Sequence, residues 1–456
     1  MKTKIQIPFL LAITLFISIA CQPTKTSIAN AKTTSLTPMP KWAEDATMYE
    51  VNLRQYTPEG TIAAFETHLP RLKELGVKIL WIMPIQPIGE KNRKGTLGSY
   101  YSIQDYKKVN PEFGSTADFR NLVAKCHELG LKVIIDWVAN HTAWDNSWIT
   151  TNPDWYAKDS TGNMYGPYDW SDVAQLDYSN MDMRNAMIDA MTYWVKEADI
   201  DGFRCDVAGL VPVDFWESAR SAIEPIKPIF MLAEDENQIA LLHKAFNSNY
   251  GWSLHAAMNQ VAKGEKTAID ITSYFAKIDT LYPTGTFPMQ FTSNHDENSW
   301  NGTEYERLGG AVKTFAAFTF LCPGMPLIYS GQEAGLSKRL QFFEKDNIDW
   351  SNLEMSTFYK QLTDLKKNNQ ALFNGSYGAP IKFIPNNVSE KVVVFERKIN
   401  NNHVVALFNF TNSELSITAN TTITGNYADY FTNKNVTFPL KNELVKPFKF
   451  MIFTVK

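Results

Sequence analysis

The sequence predicts an α/β protein: a (β/α)8 TIM barrel with a short inserted subdomain and a C-terminal antiparallel β-sandwich. Three observations carry the prediction. From Met48 onward, short apolar runs alternate with segments of helical periodicity that end in glycine, as in parallel βαβ units. The alternation is interrupted once, at residues 140–175, by an irregular stretch rich in Trp, Tyr, Asp, Gly and Pro that is too long for an ordinary βα loop. After residue 371 the pattern changes to short alternating runs separated by Asn, Gly and Thr, which reads as a terminal sandwich.

Taken in order, the strands are MYEVNL (48–53), VKILWIMPI (77–85), LKVIIDWV (131–138), DGFRCDVA (201–208), PIFMLAED (228–235), a weaker segment at 245–250, FPMQFTSNHDE (287–297) and MPLIYSG (325–331). Helices are expected through LPRLKELG, FRNLVAKCHELG and MRNAMIDAMTYWVKEA. Eight βα steps over this length give a closed barrel whose functional groups stand at the C-terminal ends of the strands. The expected boundaries are a barrel at 41–139 and 176–371, the inserted subdomain B at 140–175 and the sandwich at 372–456. KVVVFERKI, HVVALFNFT and FKFMIFTVK supply the sandwich's clearest strands.

The first twenty residues read differently. Lys2 and Lys4 precede the apolar run IQIPFLLAITLFISIA, which stops at Cys21. That is the pattern of an export signal (1–20). SIAC at 18–21 resembles a bacterial lipobox, which implies a lipid-modified Cys21 and attachment to a membrane, through a polar tether at 21–40, as an outer-membrane or periplasm-facing lipoprotein; ordinary signal-peptidase cleavage is the alternative. Only Cys126, Cys205 and Cys322 would then remain, too few and too dispersed for a disulfide framework or a zinc site.

Bulk composition narrows the function. The 456 residues carry 44 Lys and Arg against 48 Asp and Glu, a net charge of −4 with the signs intermixed, so the basic stripe that nucleic acid binding requires is missing. Aromatic residues make up 13% of the chain, a supply of flat faces for packing and for stacking on sugar rings.

Polar residues recur at one structural place. Asp136 ends the third strand, with Asn140 and His141 just beyond; Arg204 and Asp206 end the fourth, Glu234 the fifth, and Asn294, His295 and Asp296 the seventh. A single buried carboxylate is most often a satisfied structural group, but four such clusters at one barrel mouth point to a site. Retaining glycoside cleavage needs this set: a carboxylate nucleophile and a protonated carboxyl acid about 5–5.5 Å apart. Asp206 and Glu234 lie at the ends of adjacent strands. Arg204 sits two residues before Asp206, hence on the same strand face, where it is expected to hold the nucleophile ionised. Glu234, facing other carboxylates, is expected to have a raised pKa and to act as the acid.

The blocks DWVANH, GFRCD, AED and SNHDE, in this order, resemble the four sequence blocks of the α-amylase family of glycoside hydrolases (family 13), and the similarity runs from Thr47 through GMPLIYSGQE. The resemblance implies that Asp206 is the nucleophile, Glu234 the acid/base and Asp296 the transition-state stabiliser. It further implies that Arg204 partners the nucleophile, that Asp136 supports Arg204, that His141 and His295 contact the sugar, and that Tyr101 of YYSIQDY stacks on it. The implied activity is hydrolysis of α-1,4 bonds in starch or maltooligosaccharides, with no cofactor in the chemistry. The same blocks serve α-glucosidases, debranching enzymes and glucosyltransferases, and a surface glycan-binding protein with a dead barrel is a further alternative; the intact carboxylates argue against the last.

Many members of that family bind a structural Ca²⁺ through the Asn of the first block, which is Asn140 here, an Asp of the subdomain and the backbone of a His after the nucleophile. This chain has Gln175 where the Asp often lies, and Gly209 and Leu210 where Lys-His is often found. A hard cation wants carboxylate oxygens, so Ca²⁺ at the usual place is expected to be weak or absent.

Overall fold

The computed structural model describes residues 33–421 and 423–455. Residues 1–20, Cys21 and most of the expected tether lie outside the described residues.

Eight parallel strands close into a barrel in sequential order: β1 (Met48–Val51), β2 (Ile79–Ile82), β3 (Lys132–Trp137), β4 (Gly202–Cys205), β5 (Phe230–Ala233), β6 (Ser248–Tyr250), β7 (Phe287–Gln290) and β8 (Met325–Tyr329). All eight expected strands are present. They are shorter than the sequence runs that announced them. On β7 the strand ends at Gln290 and SNHDE lies beyond it. The period of two then sorts each strand. Met48, Trp81, Ile134, Phe230 and Leu232 fill the barrel interior, while Tyr49, Leu80, Ile135, Phe203 and Cys205 face the surrounding helices. β4 needs glycine at its start: Gly202 has φ +151°, and a Cβ there would lie 1.8 Å from the Phe230 carbonyl oxygen.

Helices are placed by their caps as well as by their apolar faces. Ser115 and Asp118 form a capping box that opens Thr116–Glu128, and Asn180 accepts from two backbone N–H groups to open Met181–Ala198. The 140–175 insertion contains a two-stranded antiparallel ribbon, His141–Ala143 against Val173–Gln175, so it returns the chain to the barrel close to where it left.

The C-terminal region is a lopsided sandwich. A six-stranded sheet, including Val392–Ile399, Asn402–Asn409 and Phe450–Val455, faces a ribbon of only two strands, Leu415–Ile417 and Glu443–Val445. The other face of the large sheet packs on the barrel helix Val312–Leu321, with Phe318 edge-on to Phe408 at 5.2 Å and Phe315 stacked on Phe410 at 4.8 Å. A helix thus covers the area that a larger second sheet would cover in a symmetric sandwich. Cys126, Cys205 and Cys322 are buried and unpaired. Among the described residues no helix is long and apolar enough to cross a membrane.

Candidate active site

The site begins with the register of two strands. Asp136 on β3 pairs with Arg204 on β4, and both point into the barrel. The Asp206 N–H donates to the Trp137 carbonyl at 2.9 Å and the Glu234 N–H to the Cys205 carbonyl at 3.0 Å, which carries the ladder one residue past each strand and fixes where the two carboxyls start.

Arg204 is fully buried and central. Its Nη1 donates to Asp136 Oδ1 at 2.9 Å and Asp206 Oδ1 at 3.2 Å, its Nε donates to the Tyr250 hydroxyl at 3.0 Å, and its Nη2 lies 2.9 Å from Glu234 Oε1. The last contact is an ion pair without good hydrogen-bond alignment. One guanidinium is thus shared by three carboxylates and one phenol: besides Asp206 and Asp136, the partners that the sequence suggested, it meets Glu234 and Tyr250. Its fork geometry allows this where an ammonium would reach fewer partners.

Sharing has an electrostatic consequence. Burial pushes the Asp206 carboxyl well above the ordinary range, Glu234 beside it adds to the rise, and Arg204 only opposes it. Burial likewise raises Glu234, against Arg204 and with Asp296. The two carboxyls titrate as a unit and hold a proton between them more tightly than either would alone. This departs from the expectation of a simply ionised Asp206, because burial and the neighbouring Glu234 outweigh Arg204. The Val207 N–H donates to Glu234 Oε2 at 2.8 Å and favours the ionised acid. Val207 does so from φ +37°, a conformation that costs a β-branched residue about 1–3 kcal/mol and is held by the surrounding packing.

His295 is the second buried cation. Its Nδ1 lies 2.6 Å from Glu50 Oε1; its Nε2 lies 2.7 Å from the Tyr101 hydroxyl and 3.3 Å from Asp296 Oδ2. Burial opposes its charge, but Asp296 and Glu50 outweigh burial and raise its pKa to about 9. The Tyr101 hydroxyl also donates to Asp136 Oδ2 at 3.1 Å, so Tyr101 ties the Arg204 cluster to the His295 cluster; its ring stacks on the imidazole at 5.4 Å. His141 is buried as well, which lowers its pKa to about 4 and keeps it neutral. Its ring meets Trp170 edge-on at 5.4 Å.

These groups line one cleft of about 490 Å³, in which Tyr101, His141, Asp206, Glu234 and Asp296 converge. Asp136 and Arg204 lie beneath it. Three participants were not singled out from the sequence: Glu50, Trp81, whose Nε1 donates to Asp136 Oδ2 at 3.1 Å, and Tyr250. Glu50 had a signal, since it shares the inward face of β1 with Met48 and is a carboxylate near a strand end, like the others.

The sequence profile described as alpha amylase, catalytic domain, matches residues 39–154 and 149–371, more than half of the chain. The chain belongs to the α-amylase family. Alpha-amylase MalA of Haloarcula japonica is 27% identical over 390 residues, covering 81% of this chain and 56% of its own length, so the chain spans little more than half of that relative. Among solved structures, maltogenic alpha-amylase AmyB from Thermotoga neapolitana aligns with a TM-score of 0.83 at 30% identity over 90% of this chain and 98% of its own. The alpha-amylase from Lactobacillus plantarum aligns with a TM-score of 0.81 at 28% identity over 91% of this chain and all of its own.

The calcium site that the α-amylase family implies can be tested against the residues present. Asn140 does not point at a cation-sized gap. Its Oδ1 and its backbone oxygen accept from the Gln175 side-chain nitrogen at 3.0 and 3.1 Å, and that nitrogen also donates to the Leu176 carbonyl at 3.2 Å. An amide nitrogen thus gathers the oxygens that would otherwise face a metal ion, and the set does not fit Ca²⁺. Among the described residues no group of three or more His, Cys, Asp or Glu side chains is placed to hold a metal. EDTA is expected to leave the wild-type Tm unchanged. Gln175→Glu keeps the shape but turns a donor into an acceptor facing three oxygens, so in EDTA it should melt several degrees lower and regain the loss in millimolar Ca²⁺. Equal melting with EDTA and with Ca²⁺ would show that the amide is not standing in for a cation.

Proposed function

We propose that the chain is a retaining hydrolase that cleaves α-1,4-glucosidic bonds of starch or maltooligosaccharides through a covalent glycosyl-enzyme intermediate. The observation that carries this reading is the shared guanidinium: Arg204 contacts both Asp206 and Glu234 at the floor of a cleft that also holds Asp296. In this reading a carboxylate oxygen of Asp206 attacks the anomeric carbon while the bond to the departing sugar oxygen breaks, and Glu234 gives that oxygen its proton. A water then attacks the same carbon, Glu234 takes the water's proton, and the ester to Asp206 opens. The proton that the buried Asp206–Glu234 pair retains serves the first half from Glu234, with Asp206 as the carboxylate, and the Val207 N–H on Glu234 Oε2 suits the second, when the acid has become a carboxylate. Asp296 and the charged His295 hold the sugar hydroxyls, Tyr101 stacks on the ring, and neutral His141 can donate or accept.

A reducing-sugar assay on maltoheptaose, soluble starch and pullulan tests the reading. Cleavage of the first two with little of the third supports it; attack on pullulan alone would favour a debranching enzyme, transfer without net reducing ends a glucosyltransferase, and silence on all three a glycan-binding protein. The export signal and SIAC at 18–21 support the further proposal that the mature protein is an exported lipoprotein anchored through Cys21. Labelled fatty acid should enter the wild type and not Cys21→Ala.

The charge on His295 makes stability depend on pH in a stated direction. Its pKa is raised from the ordinary 6.5 to about 9, so its contribution is complete below about pH 6.5, shrinks as pH rises, and is gone above 9. A shift of that size corresponds to roughly 3 kcal/mol. Tm should therefore fall between pH 7 and 10 in the wild type and fall less in His295→Gln. Parallel curves for the two proteins would show that His295 is not charged in the fold.

A further inference from the structure

The cleft is bounded unequally at its two ends. Beyond β8, the loop through Gln341, Phe342, Phe343 and Glu344 is fastened to the short helix Leu53–Tyr56 that follows β1: Gln55 Nε2 donates to the Gln341 and Glu344 carbonyls, both at 2.8 Å, and the Asp346 N–H donates to Gln55 Oε1 at 2.6 Å. The same loop is fastened to the loop after β2. The Leu97 N–H donates to the Phe343 carbonyl at 3.0 Å, and the Thr96 N–H to Glu344 Oε1 at 2.8 Å. Buried Arg54 clamps both, donating to the Gly98, Leu97 and Phe342 carbonyls at 3.0, 3.1 and 3.4 Å. Lys94, in the β2 loop, continues the wall to the inserted subdomain through an ion pair with Asp172 at 3.3 Å.

This joined strap forms part of the wall of the cleft, since Lys94, Phe342 and Phe343 all line it. Phe342 lies parallel to Tyr101, with ring centroids 6.2 Å apart and planes 15° apart, and Trp300, half exposed at 52%, leans on Phe342 at 5.2 Å. The strap stands over β8, β1 and β2, across the barrel from β5, whose end carries Glu234. After Asp206 and Val207, which line the cleft, the chain carries Gly209, with no side chain, and Leu210, 44% exposed.

On the proposed chemistry, on which this step rests, the sugar departs on the side of Glu234. The sugars that stay on the enzyme run the other way, from Tyr101 and His295 toward the strap. We propose that the strap closes the glycone end of the cleft, so that the enzyme accepts the non-reducing end of a maltooligosaccharide and releases one short product of fixed length, while the leaving side stays open to chains of any length. Hydrogen bonds among three loops, anchored by the buried Arg54–Gly98 contact, make the wall a fixed stop, and the Phe342 and Phe343 rings offer no hydrogen-bond partners to the hydroxyls of a further glucosyl unit.

The test compares two maltoheptaosides with the same chromogenic reducing end, one with a free non-reducing end and one with that end blocked by a 4,6-ethylidene group. The wild type should cleave the free substrate to a single short unlabelled product and the blocked one about a hundred-fold more slowly. Comparable rates on both, with a spread of early product lengths, would overturn the strap proposal and leave the hydrolase reading intact. Failure to cleave the free substrate would instead overturn the hydrolase reading. Phe343→Gly combined with Glu344→Ala loosens the stop while leaving Phe342 on Tyr101. It should raise the blocked-to-free rate ratio about tenfold and lengthen the first product. Lys94→Met, which breaks the wall at its other end, should shift the ratio the same way even if the double variant does not fold; an unchanged ratio in whichever variants fold would overturn the proposal.

Discussion

Asp206→Asn, Glu234→Gln and Asp296→Asn are each expected to lower kcat by about four orders of magnitude, roughly 5 kcal/mol of barrier, in a protein that remains folded. In the proposed mechanism the size follows from division of labour: without Asp206 no ester forms, without Glu234 the leaving oxygen departs as an alkoxide, and without Asp296 the positive charge on the sugar ring loses a carboxylate that faces it in the cleft. Stability should hold or rise. Asp206 and Glu234 crowd one guanidinium, and an amide at either place removes a like charge from a buried site. Two of the variants separate on a maltosyl fluoride, whose leaving group needs no proton. Glu234→Gln should still react in a first burst with that substrate, and Asp206→Asn should not. Wild-type hydrolysis followed by NMR should give the α-anomer first, and a β-anomer would point to inversion and a different carboxylate pair.

Why so much of this site was legible lies in the local nature of its signals. Arg204 and Asp206 are two residues apart in a strand, so the sequence itself puts them on one face, and Phe203 and Cys205 on the other confirm the phase. The polar ends of β3, β4, β5 and β7 are likewise read within a few residues of each apolar run. What escaped depends on distant pairs. Glu50 gains its meaning from His295, 245 residues on, and Arg54 from the Phe342 carbonyl, 288 residues on. Gln175 was seen as a missing carboxylate, but its amide's three acceptors come from the closure of the inserted ribbon on Asn140. The lopsided sandwich had the same cause, since nothing local in residues 415–445 tells that a barrel helix, not a second large sheet, covers the remaining face.

Removing the shared cation should have the second large effect, and on stability as well as rate. Arg204→Met takes away the guanidinium that fully buried Asp136 shares with Asp206 and Glu234, and leaves the Tyr250 hydroxyl without its donor. Breaking a buried pair by deleting one partner costs about 3–5 kcal/mol, because the carboxylates that remain are stranded in a low dielectric. The chain's only recourse is to protonate them. Burial already raises the Asp206 and Glu234 pKa values against the opposition of Arg204, and without that opposition they rise further. A folded state that holds extra protons loses stability as pH increases above the unfolded carboxyl range, so Arg204→Met should be markedly more stable at pH 5 than at pH 8, while the wild type changes less between them. Arg204→Lys tests geometry apart from charge. One ammonium cannot reach Asp136, Asp206, Glu234 and Tyr250 together, so it should recover most of the stability at pH 8 yet leave kcat about a thousand-fold down. Urea unfolding at the two pH values, with kcat measured beside it, distinguishes the roles. If Arg204→Met were as stable as the wild type at pH 8, the guanidinium would not be what holds three acids at the mouth of this barrel.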